Sequence, residues 1–264
     1  MSPASKRLLI AQYSGFGNYA PLLKSTAPIN KGYAWKWSHN MLVVQGTALV
    51  LQTDGPCENF EEKSMYNKIP ILLYALKKRK DYDQVLILDA DTLIYNFSLD
   101  VTTFLCNGDL LAAHCVRKLE DERTWNINNG ITLWDLQHPL VIKIAKYSFH
   151  KTVNGLNKAK EKGLKGPNGQ IRLQGDQSYL HSVLRRKDEF VPYIRSLPIE
   201  FKYEKGTVIK HFVRENNNGW NNTRGVEQRE QKINAATQEI CESHPVHCEF
   251  LDLTKYTSSN HQPM

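Results

Sequence analysis

Two carboxylates one residue apart, Asp89 and Asp91, follow the aliphatic run Val85-Leu86-Ile87-Leu88. A short apolar run of this kind reads as a buried strand of an α/β sheet. Ligands of open α/β sheets bind in the crevice at the carboxyl ends of the strands. Two acidic side chains held close together there are costly unless a cation or hydrogen-bond donors compensate them. A divalent metal carrying a diphosphate would do so. Three further segments supply matching chemistry downstream. Asn128-Asn129-Gly130 places two amides at the entrance to a strand, and Gly175-Asp176-Gln177 puts a carboxylate and an amide at a helix start. Lys210-His211-Phe212 adds an ammonium and an imidazole on a late strand. Together they offer a third metal ligand, a phosphate partner and groups for sugar hydroxyls.

Three rival readings compete for these residues. Gly15-Phe16-Gly17-Asn18-Tyr19-Ala20 matches the dinucleotide pattern G-x-G-x-x-A between a strand and a helix. That fingerprint needs an acid at the end of the second strand, where this chain has Gln45-Gly46-Thr47. A phosphatase of the haloacid dehalogenase type also ends a strand with Asp-x-Asp, on its first strand and with a threonine four residues after the nucleophile. Here Thr92 follows Asp89 by three, and the strand is not the first. The third rival is chance, since Asp81-Tyr82-Asp83 matches Asp-x-Asp as well. It precedes the strand, where aspartates commonly serve a solvated turn.

The elements that must position these residues follow from periodicity. A first strand spans Arg7 to Tyr13, and a helix runs from near Tyr19 to Trp37, bent or restarted at Pro28. Met41 to Gln45 is a second strand, Lys63 to Lys80 a helix, and Gln84 to Leu88 the strand before the aspartates. Leu110 to Ala113 and Gly130 to Trp134 read as strands, and His138 to His150 as a helix. Thr152 to Gln174, rich in Gly, Lys and Asn, is expected to be a mobile loop. Asp176 to Arg186 is a helix for which Asp176 is a candidate cap. Val208 to Phe212 is a late strand, and Gly225 to Cys241 a terminal helix. The expected domain is 1–250, with 251–264 a disordered tail.

With 264 residues, 41% of them hydrophobic, the chain can bury one full core. No stretch approaches the roughly 20 apolar residues of a membrane span, so the chain as given is expected to be soluble. Localisation stays open: a secretory or Golgi lumen if an anchor preceded Met1, the cytoplasm otherwise. The net charge of +7 suits an anionic ligand; no nucleic acid is expected, because no recognition motif accompanies the charge. Of five cysteines, Cys241 and Cys248 enclose His244 and His247. A disulfide loop, a crowded zinc site and an ordinary tail are all open readings, the last being the default. Asn96-Phe97-Ser98 and Asn221-Asn222-Thr223 fit the glycosylation pattern.

The ordered set Asp89-Ala90-Asp91, Asn129-Gly130, Asp176-Gln177, His211-Phe212 resembles the GT-A glycosyltransferases, glycogenin-like family 8 among them. Asn67-Lys68-Ile69 and Asn30 to Lys36 look more like glycosyltransferase family 34, whose members transfer galactosyl, mannosyl or xylosyl groups. The resemblance spans about residues 8 to 220. It implies an α/β, single-domain GT-A (Rossmann-like) nucleotide-diphospho-sugar transferase fold with a mixed, mostly parallel central sheet. It also implies a metal-dependent, retaining transfer of a hexose or pentose from a UDP- or GDP-sugar to a glycan or other hydroxyl acceptor. Mn2+ or Mg2+ would be held by Asp91 and His211, with Asp89 bridging metal and ribose. Ala90, between the two acids, would line the cofactor-binding turn, and Lys68 and Lys210 would contact phosphate. Gln12, Tyr13 and Ser14 would meet base and ribose, and Asn129, Asp176 and Gln177 the donor sugar near its anomeric carbon. The alternative from another class is a catalytically silent carbohydrate- or nucleotide-binding protein on the same fold.

Overall fold

The central strand β1, Leu8–Ser14, is buried along its whole length, Leu8 to Ala11 as an apolar run and Gln12 and Ser14 as buried polar residues. In the computed structural model it lies between β2, Asn40–Gln45, and β3, Gln84–Asp89, and is parallel to both. The structure describes residues 6–17, 19–46, 48, 64–115, 125–163, 175–185, 189–201, 203–213 and 223–248. The sheet continues through β6, Ile127–Asp135, and β5, Leu111–Cys115, to β7, Ile194–Ser196, in the order β2-β1-β3-β6-β5-β7. Only β6 runs against the others, pairing antiparallel with both β3 and β5. The sheet is therefore mixed and mostly parallel, as expected. The chain turns from β1 to β2 on one side, then returns to β3 on the other. The crevice between β1 and β3 is thus a topological switch point, and Asp89 ends β3 there, paired in register with Tyr13.

Strand alternation divides the core in two. Leu8, Ile10, Leu86 and Leu88 point to the face covered by α1, Ala20–Lys36, and α5, Thr223–Ser243. Leu9, Ala11, Val85 and Ile87 point to the other face. That face is covered by α2, Lys68–Lys77, α3, Val141–Glu161, and α4, Asp176–Leu184. A leucine such as Leu88, fully buried, contributes about 1.5–3 kcal/mol by leaving water. A separate antiparallel ribbon joins β4, Thr92–Ile94, to β8, Ile209–His211, with Thr92 opposite His211.

Three expectations change. The helix expected to end at His150 continues to Glu161, into the segment read as a loop. Thr152, Leu156 and Ala159 are buried at helical spacing, and the Lys- and Asn-rich composition occupies the remaining face. Gly155 sits inside this helix because the Tyr179 ring of α4 packs against it; a Cβ would overlap that ring. Pro28 neither ends nor restarts α1, which is continuous. Cys241 and Cys248 form a disulfide, with Cα atoms 5.5 Å apart, so the tail is cross-linked to its helix. The remainder of the expected loop, 164–174, and the tail, 251–264, lie outside the described residues. Among the described residues no helix is long and apolar enough to cross a membrane.

Candidate functional site

The turn from β3 to β4 carries both aspartates, and buried polar side chains hold its backbone. Gln12 Nε2 donates to the carbonyls of Asp89 and Thr92 at 3.1 and 3.0 Å. The Thr26 hydroxyl donates to Ala90 O at 2.8 Å, and Asn30 Nδ2 donates to Thr92 O at 3.1 Å. Asn30 also joins Gln12 Oε1 and accepts from Ile94 N. Gln12, Thr26 and Asn30 are fully buried. Unpaired, each would carry a desolvation penalty of about 1–3 kcal/mol; paired, they fix the turn that aims the carboxylates.

Asp89, Asp91 and His211 converge, with one ligand atom from each lying within 4.8 Å of the others. His211 Nε2 is 3.3 Å from Asp91 Oδ1 and 3.9 Å from Asp89 Oδ2. The β4–β8 pairing brings the imidazole there, tightened by Phe212 N donating to Asp91 O at 2.9 Å. The side of His211 and Asp89 facing β6 lies against Gly130. A Cβ on Gly130 would stand 2.8 Å from Asp89 Oδ2 and 2.9 Å from His211 Nδ1, and closer still to His211 Cε1. The His211 ring and the Asp89 carboxylate occupy the space a side chain would fill. An imidazole and two carboxylates suit Mn2+ or Mg2+, and the cradle lets them approach one another, so the residues fit such an ion.

Electrostatics bind this cluster to its surroundings. Burial opposes ionisation of Asp91, but His211 and Arg229 outweigh it and hold the carboxyl below its usual range. Burial likewise opposes the His211 imidazolium, and the charges of Asp91 and Asp89 more than reverse that. On the open side, Lys68 Nζ bridges Asp89 Oδ1 at 3.0 Å and Asp176 Oδ2 at 2.7 Å. Burial works against the Lys68 charge, but Asp176 and Asp89 prevail and raise its pKa. The Tyr13 hydroxyl donates to Asp89 Oδ1, and burial followed by the Asp89 charge pushes that phenol well above its ordinary value. Asn129 Nδ2 donates to Asp176 Oδ2 at 2.8 Å, and Asn129 N to Gln177 Oε1 at 3.1 Å. Asp176 is the first residue of α4 rather than its cap, which is Gly175. Its carboxylate is committed to Lys68 and Asn129.

Tyr13, Lys68, Asp89, Asp91, Asn129, Asp176, Gln177 and His211 thus gather in one place. Four expected site residues sit differently. Gln12 is wholly internal, its amide committed to the turn. Ser14 is buried and turns its hydroxyl to Gly15 O. Ala90 packs into the core on the α1 face. Lys210, one residue from His211, points to the opposite side of its strand, with Nζ 4.1 Å from the centre of the Tyr95 ring and bonded to Glu204 O. Asp81 and Asp83 follow the turn reading, Asp83 being clasped by Arg7 at the base of the sheet.

One residue that sequence reasoning passed over joins the site, and a second stands at the ends of β1 and β2. Arg229 of α5 is buried and donates from Nη1 to Asp91 Oδ2 at 2.8 Å. Its signal was a charge in helical register with the buried Ile233, Ala236 and Ile240. Phe16 is 65% exposed and lies across Gly46 at the ends of β1 and β2. Gly46 has φ +96°, a conformation that favours glycine, and a Cβ there would stand 2.6 Å from Phe16 Cε2, so the exposed ring would have to shift.

No protein-family model matches the chain, and no curated protein matches it. Solved structures do. The chain is similar to a glycosyltransferase involved in glycosylation of the major capsid of PBCV-1, at 13% identity and a TM-score of 0.52. That match covers 87% of this chain and 99% of the other. It also matches the glycosyltransferase GlyE of Streptococcus pneumoniae TIGR4 at 14% identity and a TM-score of 0.44, covering 92% of this chain and 64% of that one. The galactosyltransferase LgtC, solved with donor and acceptor sugar analogs, matches at 13% identity and a TM-score of 0.43, over 86% and 95% of the two chains. The fold is the GT-A glycosyltransferase fold.

Proposed function

We propose that this chain is a divalent-cation-dependent glycosyltransferase that moves a hexose or pentose from a nucleoside-diphosphate sugar to a hydroxyl of a carbohydrate or glycoconjugate acceptor. The observation that carries this reading is the convergence of Asp89, Asp91 and His211 at the switch point of a GT-A sheet. A bound Mn2+ or Mg2+ would offset the negative charge that builds on the departing nucleoside diphosphate.

The remaining work falls to the chain. Lys68, fixed between Asp89 and Asp176, holds a positive charge beside the cleft for the donor phosphates. Because Gln12 and Ser14 are spent internally, the exposed Phe16 ring is the better platform for the nucleobase, with Tyr13 beneath the ribose. Asn129, Asp176 and Gln177 form one hydrogen-bonded group that orients the donor sugar. The configuration at the anomeric carbon is retained on this reading, a step taken by analogy with the families the sequence resembles.

The test is a panel of UDP- and GDP-sugars incubated with the chain and Mn2+, reading release of the nucleoside diphosphate. Slow metal-dependent release from one donor is expected, abolished by Asp91→Asn with the fold intact. Metal- and UDP-binding without release from any donor would instead support a silent binding protein, and activity surviving Asp91→Asn would refute the metal role.

A further inference from the structure

Arg229 reaches Asp91 from α5, a helix on the opposite face of the sheet from those that carry Lys68 and Asp176. Its Nη1 donates to Asp91 Oδ2 at 2.8 Å, its Nε to Gly225 O at 3.2 Å, and its guanidinium lies 5.0 Å from the centre of the Tyr19 ring. The pairing divides the work of the Asp91 carboxylate. Oδ2 is taken by Arg229, and Oδ1 is left beside His211. Attachment of α5 does not require this bond. Ile233, Ala236 and Ile240 bury the same face of the helix, Lys232 pairs with Glu204 at 2.8 Å, and Tyr95 donates to Glu239. An apolar side chain at 229 would keep that packing, although removing one partner alone leaves the buried Asp91 carboxylate short of a cation.

What an apolar residue could not supply is charge. Three carboxylates, Asp89, Asp91 and Asp176, meet two permanent cations here, Lys68 and Arg229. Without Arg229 the site would be a stronger trap for a cation and a weaker one for an anion. We propose that Arg229 is a positioning and charge-setting residue: it holds Asp91 to one free oxygen, weakens binding of a cation arriving alone, and strengthens binding of the diphosphate. The cation is then retained chiefly together with its anionic partner. This inference rests on the glycosyltransferase reading above.

The full chain is compared as wild type, Arg229→Met and Arg229→Lys, with metal-free melting curves as the check on folding. Free Mn2+ is titrated without nucleotide by electron paramagnetic resonance, and UDP is then titrated into Mn2+-saturated protein by calorimetry. Removing one unit charge next to the site is expected to tighten Mn2+ binding and weaken UDP binding, each about tenfold or more. Arg229→Lys, which keeps the charge, should stay within roughly threefold of wild type for both. The opposite signs are the signature, because a purely structural arginine would weaken both together or change neither, and either of those results overturns the proposal. Should Arg229→Met not fold, Arg229→Gln, neutral and polar, is read against the same two signs. Wild type that binds neither Mn2+ nor UDP would remove the glycosyltransferase reading itself, and this inference with it.

Discussion

Gly130 is the position where the smallest change should have the largest consequence. Its backbone is ordinary strand, so Gly130→Ala carries no conformational penalty of its own and would modestly favour the strand elsewhere. The cost is steric. The new Cβ would stand 2.8 Å from Asp89 Oδ2 and 2.9 Å from His211 Nδ1, and nearer still to His211 Cε1. His211 is anchored through its backbone to Tyr203 O and through β8 to β4, so the ring rather than the strand must move. Overpacking of this kind costs about 1–3 kcal/mol. In a chain of this size that lowers Tm by roughly 2–10 °C. Displacing His211 should also weaken Mn2+ binding at least tenfold, equivalent to about 1.4 kcal/mol. The assay is a double-mutant cycle: melting and Mn2+ titration of wild type, Gly130→Ala, His211→Ala and the double variant. Once the imidazole is gone, the stability penalty of Gly130→Ala should shrink by more than half. Equal penalties in both backgrounds, or a Gly130→Ala variant that melts and binds Mn2+ like wild type, would refute the cradle argument.

Lys68→Met should cost about 3 kcal/mol, because Asp89 and Asp176 lose the cation between them; Asp176→Asn in the same chain should restore part of that in a urea melt. Asp100 accepts from Thr102 N at 2.9 Å and faces His39 at 3.2 Å. Burial opposes its ionisation, but His39 and Thr102 outweigh it and hold the carboxyl below its usual range. A lowered carboxyl stabilises above its unfolded pKa and loses that contribution as pH falls through its folded pKa. Asp100→Asn, which keeps an acceptor for Thr102 but loses the charge, should therefore be less stable than wild type at neutral pH, and the gap should close in acid unfolding curves below about pH 4. The Cys241–Cys248 bond closes a short loop, so Cys241→Ser with Cys248→Ser should cost about 2 kcal/mol, read by denaturant unfolding with and without reductant.

Much of the site was legible where chemistry and local pattern coincide. The run Val85 to Leu88 ends at a crevice because a buried strand must end somewhere, and Asp89, Asp91 and His211 were joined by type and order. Lys210 and Gln12 were misplaced for a reason the sequence already contained: neighbours on a strand point to opposite faces. If His211 faces the aspartates, Lys210 cannot; if Tyr13 meets Asp89, Gln12 must enter the opposite layer. Arg229 was hidden because its meaning depends on which sheet face α5 covers, a tertiary fact. The extension of α3 was masked by composition, since Lys and Asn on its outer face concealed the buried stripe Thr152, Leu156 and Ala159. Gly155 reads as a loop glycine and Gly130 as the start of a strand, yet both are contact positions against which Tyr179 and His211 pack.

Whether Asp89, Asp91 and His211 hold a cation together with a nucleoside diphosphate is read from a thermal melt of the wild-type chain with UDP and Mn2+, separately and together. Protection by the pair is expected to exceed the sum of the two alone and to be lost in Asp91→Asn. A melting temperature that UDP plus Mn2+ leaves unchanged would contradict the proposed site.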